Sequence, residues 1–416
     1  MMGYRTLRST CLLVVSLGTL AACIGDTPAA VNDAGARDVE RPDTGVDAGP
    51  ALASFAVTTT ATKVAEHELF TITVTAKHGD GTTYAEYAGA PTVTSTWGDA
   101  RIAGTAAFAN GQTTLSVALN RETNPSDGPA KIQVRDGAAV GFSTPVEVTL
   151  PDWGAGKDVL FPAGAQWDPS FNLPNSSLVR LANGNLFVYY SAQTPQPNNK
   201  VRFQIGAATS TNGILFTKAP KNPILSSGTL PWDNDSANLA DVVIDGGTFV
   251  MLYQGSNADH TTAGYGIATA TDGLTFTRRN AQLSFGQGLC SSITTPRLVV
   301  EGPGKLRVMY SSNGGICTST SNDQGVTWTS AGPITGVHLN GAAPSQVIKE
   351  GSVYKTYFAF VDVFYATSSD GTNWVMSPRG ALKQPFPLAL AYNGQAFTLE
   401  GLTPGNGGAL AFYTRP

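Results

Sequence analysis

The sequence predicts an all-β chain in which a β-sandwich is followed by a propeller-type array of hairpin units. Short apolar–polar alternations recur from Ser54 to the C-terminus and suit half-buried strands. One turn is written four times, as Thr211-Asn212-Gly213-Ile214-Leu215-Phe216, Thr271-Asp272-Gly273-Leu274-Thr275-Phe276, Ser321-Asn322-Asp323-Gln324-Gly325-Val326-Thr327-Trp328 and Ser369-Asp370-Gly371-Thr372-Asn373-Trp374. Each has a hydroxyl residue, Asp or Asn, Gly and an aromatic, and each reads as a tight hairpin. Their glycines recur at roughly 50-residue intervals, a period that points to a propeller or similar array. Composition agrees, because only 13% of the 416 residues are charged while Gly numbers 46. A formal charge of −4 leaves no basic footprint for nucleic acid.

The first residues read as an export signal. Arg5 and Arg8 make a positive start, Cys11 to Leu20 an apolar core, and Leu20-Ala21-Ala22-Cys23 sets small residues before a cysteine. That tetrapeptide resembles a bacterial lipobox, which implies removal of residues 1–22 and a lipid on Cys23; a plain signal peptide is the alternative. The implied address is the bacterial cell envelope, at the outer membrane or cell surface, with the membrane as a partner through the lipid. Residues 23–50, rich in Ala, Asp, Gly and Pro without periodicity, cannot bury a core and are expected to form a solvated tether. Setting Cys11 and Cys23 aside leaves Cys290 and Cys317 of the four cysteines. An oxidising compartment favours one disulfide between them, with two buried thiols as the alternative.

Residues 51–150 alternate in short runs, among them Leu69 to Ala76, Thr92 to Trp97, Thr114 to Leu119 and Val146 to Leu150, separated by turns such as Asn110-Gly111. This arrangement resembles the immunoglobulin-like modules of bacterial surface proteins, and a β-sandwich spacer is the expectation. Pro151 to Gly156 marks a boundary by composition. Residues 155–416 then carry five paired-strand units, which begin near Leu178, Asp241, Arg297, Ser345 and Leu388. The fifth lacks an Asp-Gly hairpin. Its outer strand is expected from Asp158 to Phe161, so that the first and last segments pair and the ring closes without a free edge.

Five units of this kind resemble the five-bladed propellers of glycoside hydrolase families 43, 32 and 68, and the Ser321 to Trp328 turn resembles the Asp-box of sialidases. The resemblance implies a carbohydrate, an oligo- or polysaccharide, as partner at a central funnel, and a monomer. Sugar hydrolysis there needs paired carboxylates. The family pattern puts Asp241 in place in Asn238-Leu239-Ala240-Asp241, but sets Asn175 and Thr294 where a base and an acid belong. An amide and a hydroxyl do not shuttle protons near neutral pH. Asp168 and Asp233 are the substitute catalytic candidates, on the loops Trp167-Asp168 and Trp232-Asp233-Asn234-Asp235. Trp167, Trp232, Asp235, Asn175, Thr294 and Arg297 are the expected ligand contacts, with Trp-Asp as a loop cap the alternative reading. The aspartates inside the repeated turns are expected to be structural. Glu301, Glu350 and Glu400 lie at strand ends, where solvated carboxylates are expected. No cofactor is expected, and the resemblance would place any channel calcium at His338. The alternative class is a non-catalytic binding, scaffold or adhesion protein.

Overall fold

The computed structural model describes residues 51–98, 100–124, 127–161, 167–168, 170–197, 200–279, 281–313, 315–337, 342–359, 363–377, 389–393, 398–404 and 410–415. The expected signal and tether, with Cys23, and His338 lie outside the described residues, as do the side chains of Asn175 and Glu400.

The N-terminal module holds β1 (Ser54–Thr58), β2 (Lys63–Ala65), β3 (Phe70–Lys77), β4 (Thr92–Ser95), β5 (Ala100–Ala103), β6 (Gln112–Leu119), β7 (Ile132–Asp136), β8 (Ala139–Phe142) and β9 (Glu147–Thr149). Hydrogen bonds run through seven of them in the order β4-β7-β8-β1-β3-β6-β5, and β2 pairs in parallel with β9. Alternation explains the layering. In β3, Phe70, Ile72, Val74 and Ala76 point inward and meet Val93, Ile132 and Val134 from the other end of the sheet in one core.

Five sheets follow. After β10 (Lys157–Asp158), the first contains β11 (Ser170–Arg180), β12 (Leu186–Pro195), β13 (Val201–Ser210) and β14 (Thr217–Lys218). The second contains β15 (Ser236–Asp245), β16 (Thr248–Ser256), β17 (Ala263–Ala270) and β18 (Thr277–Arg278). The third contains β19 (Thr294–Gly302), β20 (Lys305–Ser312), β21 (Gly315–Ser321) and β22 (Thr329–Pro333). In the fourth the inner strand is split into β23 (Ala343–Pro344) and β24 (Ile348–Glu350), both paired with β25 (Val353–Ala359), before β26 (Val363–Ser368) and β27 (Trp374–Met376). The fifth is β28 (Ala389–Asn393), β29 (Thr398–Pro404) and β30 (Leu410–Arg415), completed by β10. Each inner strand neighbours the next, and β28 returns to β11, so the sheets are the blades of a closed propeller.

The repeated turns join third to fourth strands and are structural, as expected. Asp272 Oδ1 accepts the amides of Leu274 at 2.8 Å and Thr275 at 2.7 Å, and Asp323 Oδ1 accepts those of Val326 and Thr327 at 3.1 and 2.9 Å. These bonds favour the ionised carboxylate and hold both groups down at about 2. The turn glycines have φ of 70° to 85°, a left-handed conformation that side chains resist.

Ring closure follows the expectation with one correction. Lys157 and Asp158 pair with Phe412 and Ala411, but Leu160 turns instead to the first blade, its amide donating to Ile214 O at 2.7 Å. On the axis, below the inner strands' midpoints, Val179, Val243, Val299 and Val347 surround a cavity of about 240 Å³ that has Gln346 among its lining residues.

Candidate functional site

Three inner strands break register at comparable places. The irregularities fall between Asn172 and Ser177 in β11, Leu239 and Asp241 in β15, and Thr294 and Arg297 in β19. Bulges of this kind re-aim side chains and gather near functional sites. In β19 the distortion includes Thr295 at φ 47°, a conformation that costs a β-branched residue about 1–3 kcal/mol.

Beside the bulges, two side chains tie the inner strands together. Asp241 is fully buried. Its Oδ1 accepts Ser177 Oγ at 2.7 Å and its own blade's Val242 amide at 2.9 Å, and Oδ2 accepts the Leu298 amide at 2.8 Å. One carboxylate thus links blades one, two and three. Gln346 does the same for the other side, because its Oε1 accepts the amides of Leu178 at 2.9 Å and Leu390 at 3.0 Å while Nε2 donates to Ser177 Oγ at 2.8 Å. Arg297, also buried, donates to Ser176 O at 3.1 Å and balances the Asp241 charge. Burial pushes the Asp241 carboxyl up to about 6, against the pull of Arg297 and of the Ser177, Leu298 and Val242 donors.

Asp168 and Asp233 take the same place in successive blades, and the structure uses both as clamps. Asp168 is buried and receives Lys218 Nζ at 2.6 Å and Tyr190 OH at 3.1 Å. Asp233 is buried and meets Arg278 Nε at 3.2 Å, Tyr253 OH at 3.0 Å and the Leu230 amide at 2.9 Å. In each case an entry loop is fastened to the blade's second and outer strands. The tryptophans belong to the same device. Trp167 and Trp232 lie on Tyr190 and Tyr253, at ring separations of 6.2 and 5.8 Å, and cover Gly206 and Gly266, where a Cβ would come within 2.6 Å of either indole. Trp167, Asp168, Trp232 and Asp233 are each engaged within their own blade, as a loop cap requires. Asp235 is half-buried in an ion pair with Arg202 at 3.0 Å.

Between blades two and three the bulges leave a pocket of about 40 Å³ lined by Asn238, Leu239, Gln254, Tyr265, Thr295, Pro296 and Arg297. It offers amide, hydroxyl and guanidinium groups and no carboxylate. Thr294 is exposed beside it and donates to Ser311 O of its own blade at 3.2 Å. Of the expected contacts, Arg297 and the bulge carrying Thr294 meet here; Gln254, Asn238 and Gln346 were missed. Gln346 could have been noticed as a long polar residue beside Val347 and Ile348 where the other inner strands run apolar. Among the described residues no group of three or more His, Cys, Asp or Glu is gathered as a metal site.

Fold and site together define a β-propeller with a polar pocket between two of its blades. No family model matches the chain, and no curated protein matches it. Among solved structures it is similar to a glycosyl hydrolase from Bacteroides ovatus, at 16% identity over 58% of this chain and 82% of that one, with a TM-score of 0.42. It is also similar to an N-acetylgalactosamine deacetylase from F. plautii, at 15% identity over 63% and 94%, TM-score 0.43. A third similar structure is a Bacillus subtilis arabinanase, at 13% identity over 59% and 97%, TM-score 0.41. The propeller assignment rests on this chain's own sheets.

Proposed function

We propose that this is a lipid-anchored envelope protein whose propeller, carried behind an immunoglobulin-like module, binds carbohydrate at its funnel without hydrolysing it. One observation carries the reading. Amide, hydroxyl and guanidinium side chains line the pocket at the bulges, while Asp241, the nearby carboxylate, is buried with both oxygens occupied by protein donors. Amides and hydroxyls pair with sugar hydroxyls, and two-carboxylate hydrolysis needs two carboxyls about 5–10 Å apart across the bond. A hydrolytic reading draws on the raised Asp241 carboxyl, since an acid near neutrality suits proton donation. Its burial weighs against contact with substrate.

The full chain is expected to bind members of a glycan array and to release no reducing sugar from a polysaccharide panel. Asn238→Ala and Gln254→Ala are each expected to weaken binding roughly tenfold, about 1.4 kcal/mol. Reducing ends above the buffer blank would overturn the non-hydrolytic reading, and failure to bind any glycan would remove the carbohydrate reading itself. For the anchor, mass spectrometry of protein extracted from the envelope is expected to find acylated Cys23 and no residues 1–22. An unmodified Cys23 in a mature chain would refute it.

A further inference from the structure

The N-terminal module meets the propeller at Glu122, which accepts Ser377 Oγ at 2.5 Å, and at the turn that carries Glu66 and His67. Glu66 and His67 follow β2, and their amides are pinned to the module by Thr149 O and Leu119 O, both at 2.8 Å. His67 holds φ at 68°, which throws both side chains outward from the module and into blades four and five.

Glu66 is only 1% exposed there. Its Oε1 accepts Lys355 Nζ at 3.0 Å and Tyr365 OH at 3.2 Å, both from blade four. Its Oε2 meets Arg415 of β30 at 2.5 Å, and Arg415 donates onward to Tyr357 OH at 2.8 Å. Lys355 also donates to Glu350 at 2.7 Å, and it lies 3.1 Å from His67 Nε2 while His67 Nδ1 faces Glu350 at 3.3 Å. Two carboxylates thus face two cations around one histidine. Burial pushes the imidazole down to about 3, with Lys355 acting in the same direction, so His67 is neutral, accepting from Lys355 and donating to Glu350. Burial opposes the Glu66 charge, but Lys355 and Arg415 outweigh it and hold the carboxyl at about 2.

This cluster sits beside the two-residue pairing that completes the last blade. The last blade is completed by the two residues of β10, with Gly154 N donating to Thr414 O at 2.9 Å and Trp153 packed 6.0 Å from Tyr357. We propose that the module is the clasp of the propeller: the Glu66 turn ties β30 to blade four, and closure of the ring depends on it. The two parts fall within one compact unit, Pro50–Pro416, as a clasp requires and a free spacer does not.

Hydrogen exchange of the full chain tests this. In Glu66→Gln, amides of β10, β28–β30 and β24–β26 are expected to exchange about 100-fold faster while β16 and β20 keep their wild-type rates, because the change takes the carboxylate from the buried Arg415 guanidinium and leaves Lys355 with Glu350 alone. Arg415→Lys keeps the charge but loses the fork, and gives the same pattern at smaller amplitude should the first variant fail to fold. Acceleration confined to the module, uniform across all blades, or absent would overturn the proposal.

Discussion

Replacing Asp241 with alanine is expected to lower the unfolding free energy by about 3–5 kcal/mol, because it leaves the buried Arg297 guanidinium without its counter-charge. The same change removes the acceptor for Ser177 Oγ and the Leu298 amide, so three blades lose their shared tie. Urea titration of the full chain measures it, and a loss under 1 kcal/mol would contradict the structural role. Asp241→Asn separates charge from contact. Folding raises the Asp241 carboxyl from 3.8 to about 6, so between those values the native state holds the proton more tightly than the unfolded chain. The contribution is full below about 4 and declines as pH rises through about 6. That decline is expected in the wild type and absent in Asp241→Asn.

Removing the Cys290–Cys317 disulfide is expected to cost roughly 3–4 kcal/mol under oxidising conditions, from the entropy regained by a loop closed over 27 residues. Both cysteines are buried in the core shared by blades two and three, and the bridge fastens the Gly288–Cys290 turn to β21. Cys290→Ala with Cys317→Ala, compared with wild type by denaturant titration, reads the difference. Equal midpoints and slopes would exclude a stabilising role.

The strands and turns were readable from the sequence because their causes are local. An aspartate that accepts amides two to four residues on, and a glycine held at positive φ, announce a hairpin wherever they recur. The pairing of Cys290 with Cys317 was readable by counting cysteines. The candidate site was less so, because its bonds are long-range. Asp168 and Asp233 resembled ligand-facing carboxylates until Lys218 and Arg278, some 45–50 residues later and in the outer strands, were seen to close on them. Gln346 matters only because Leu178 and Leu390 of other blades converge on it. Glu350 was expected in solvent at a strand end, and is buried because the module covers it. Pattern reports the face a strand turns inward; it does not report what a distant segment will cover.

Gln346 and Asp241 also act as a bulkhead across the axis. Their hydrogen bonds join Leu390, Leu178, Ser177 and Leu298 in one continuous chain. The hollow that includes Gln346 and the polar pocket at the bulges share no lining residue. Ser177, which touches both side chains, is where the ties of all five blades meet.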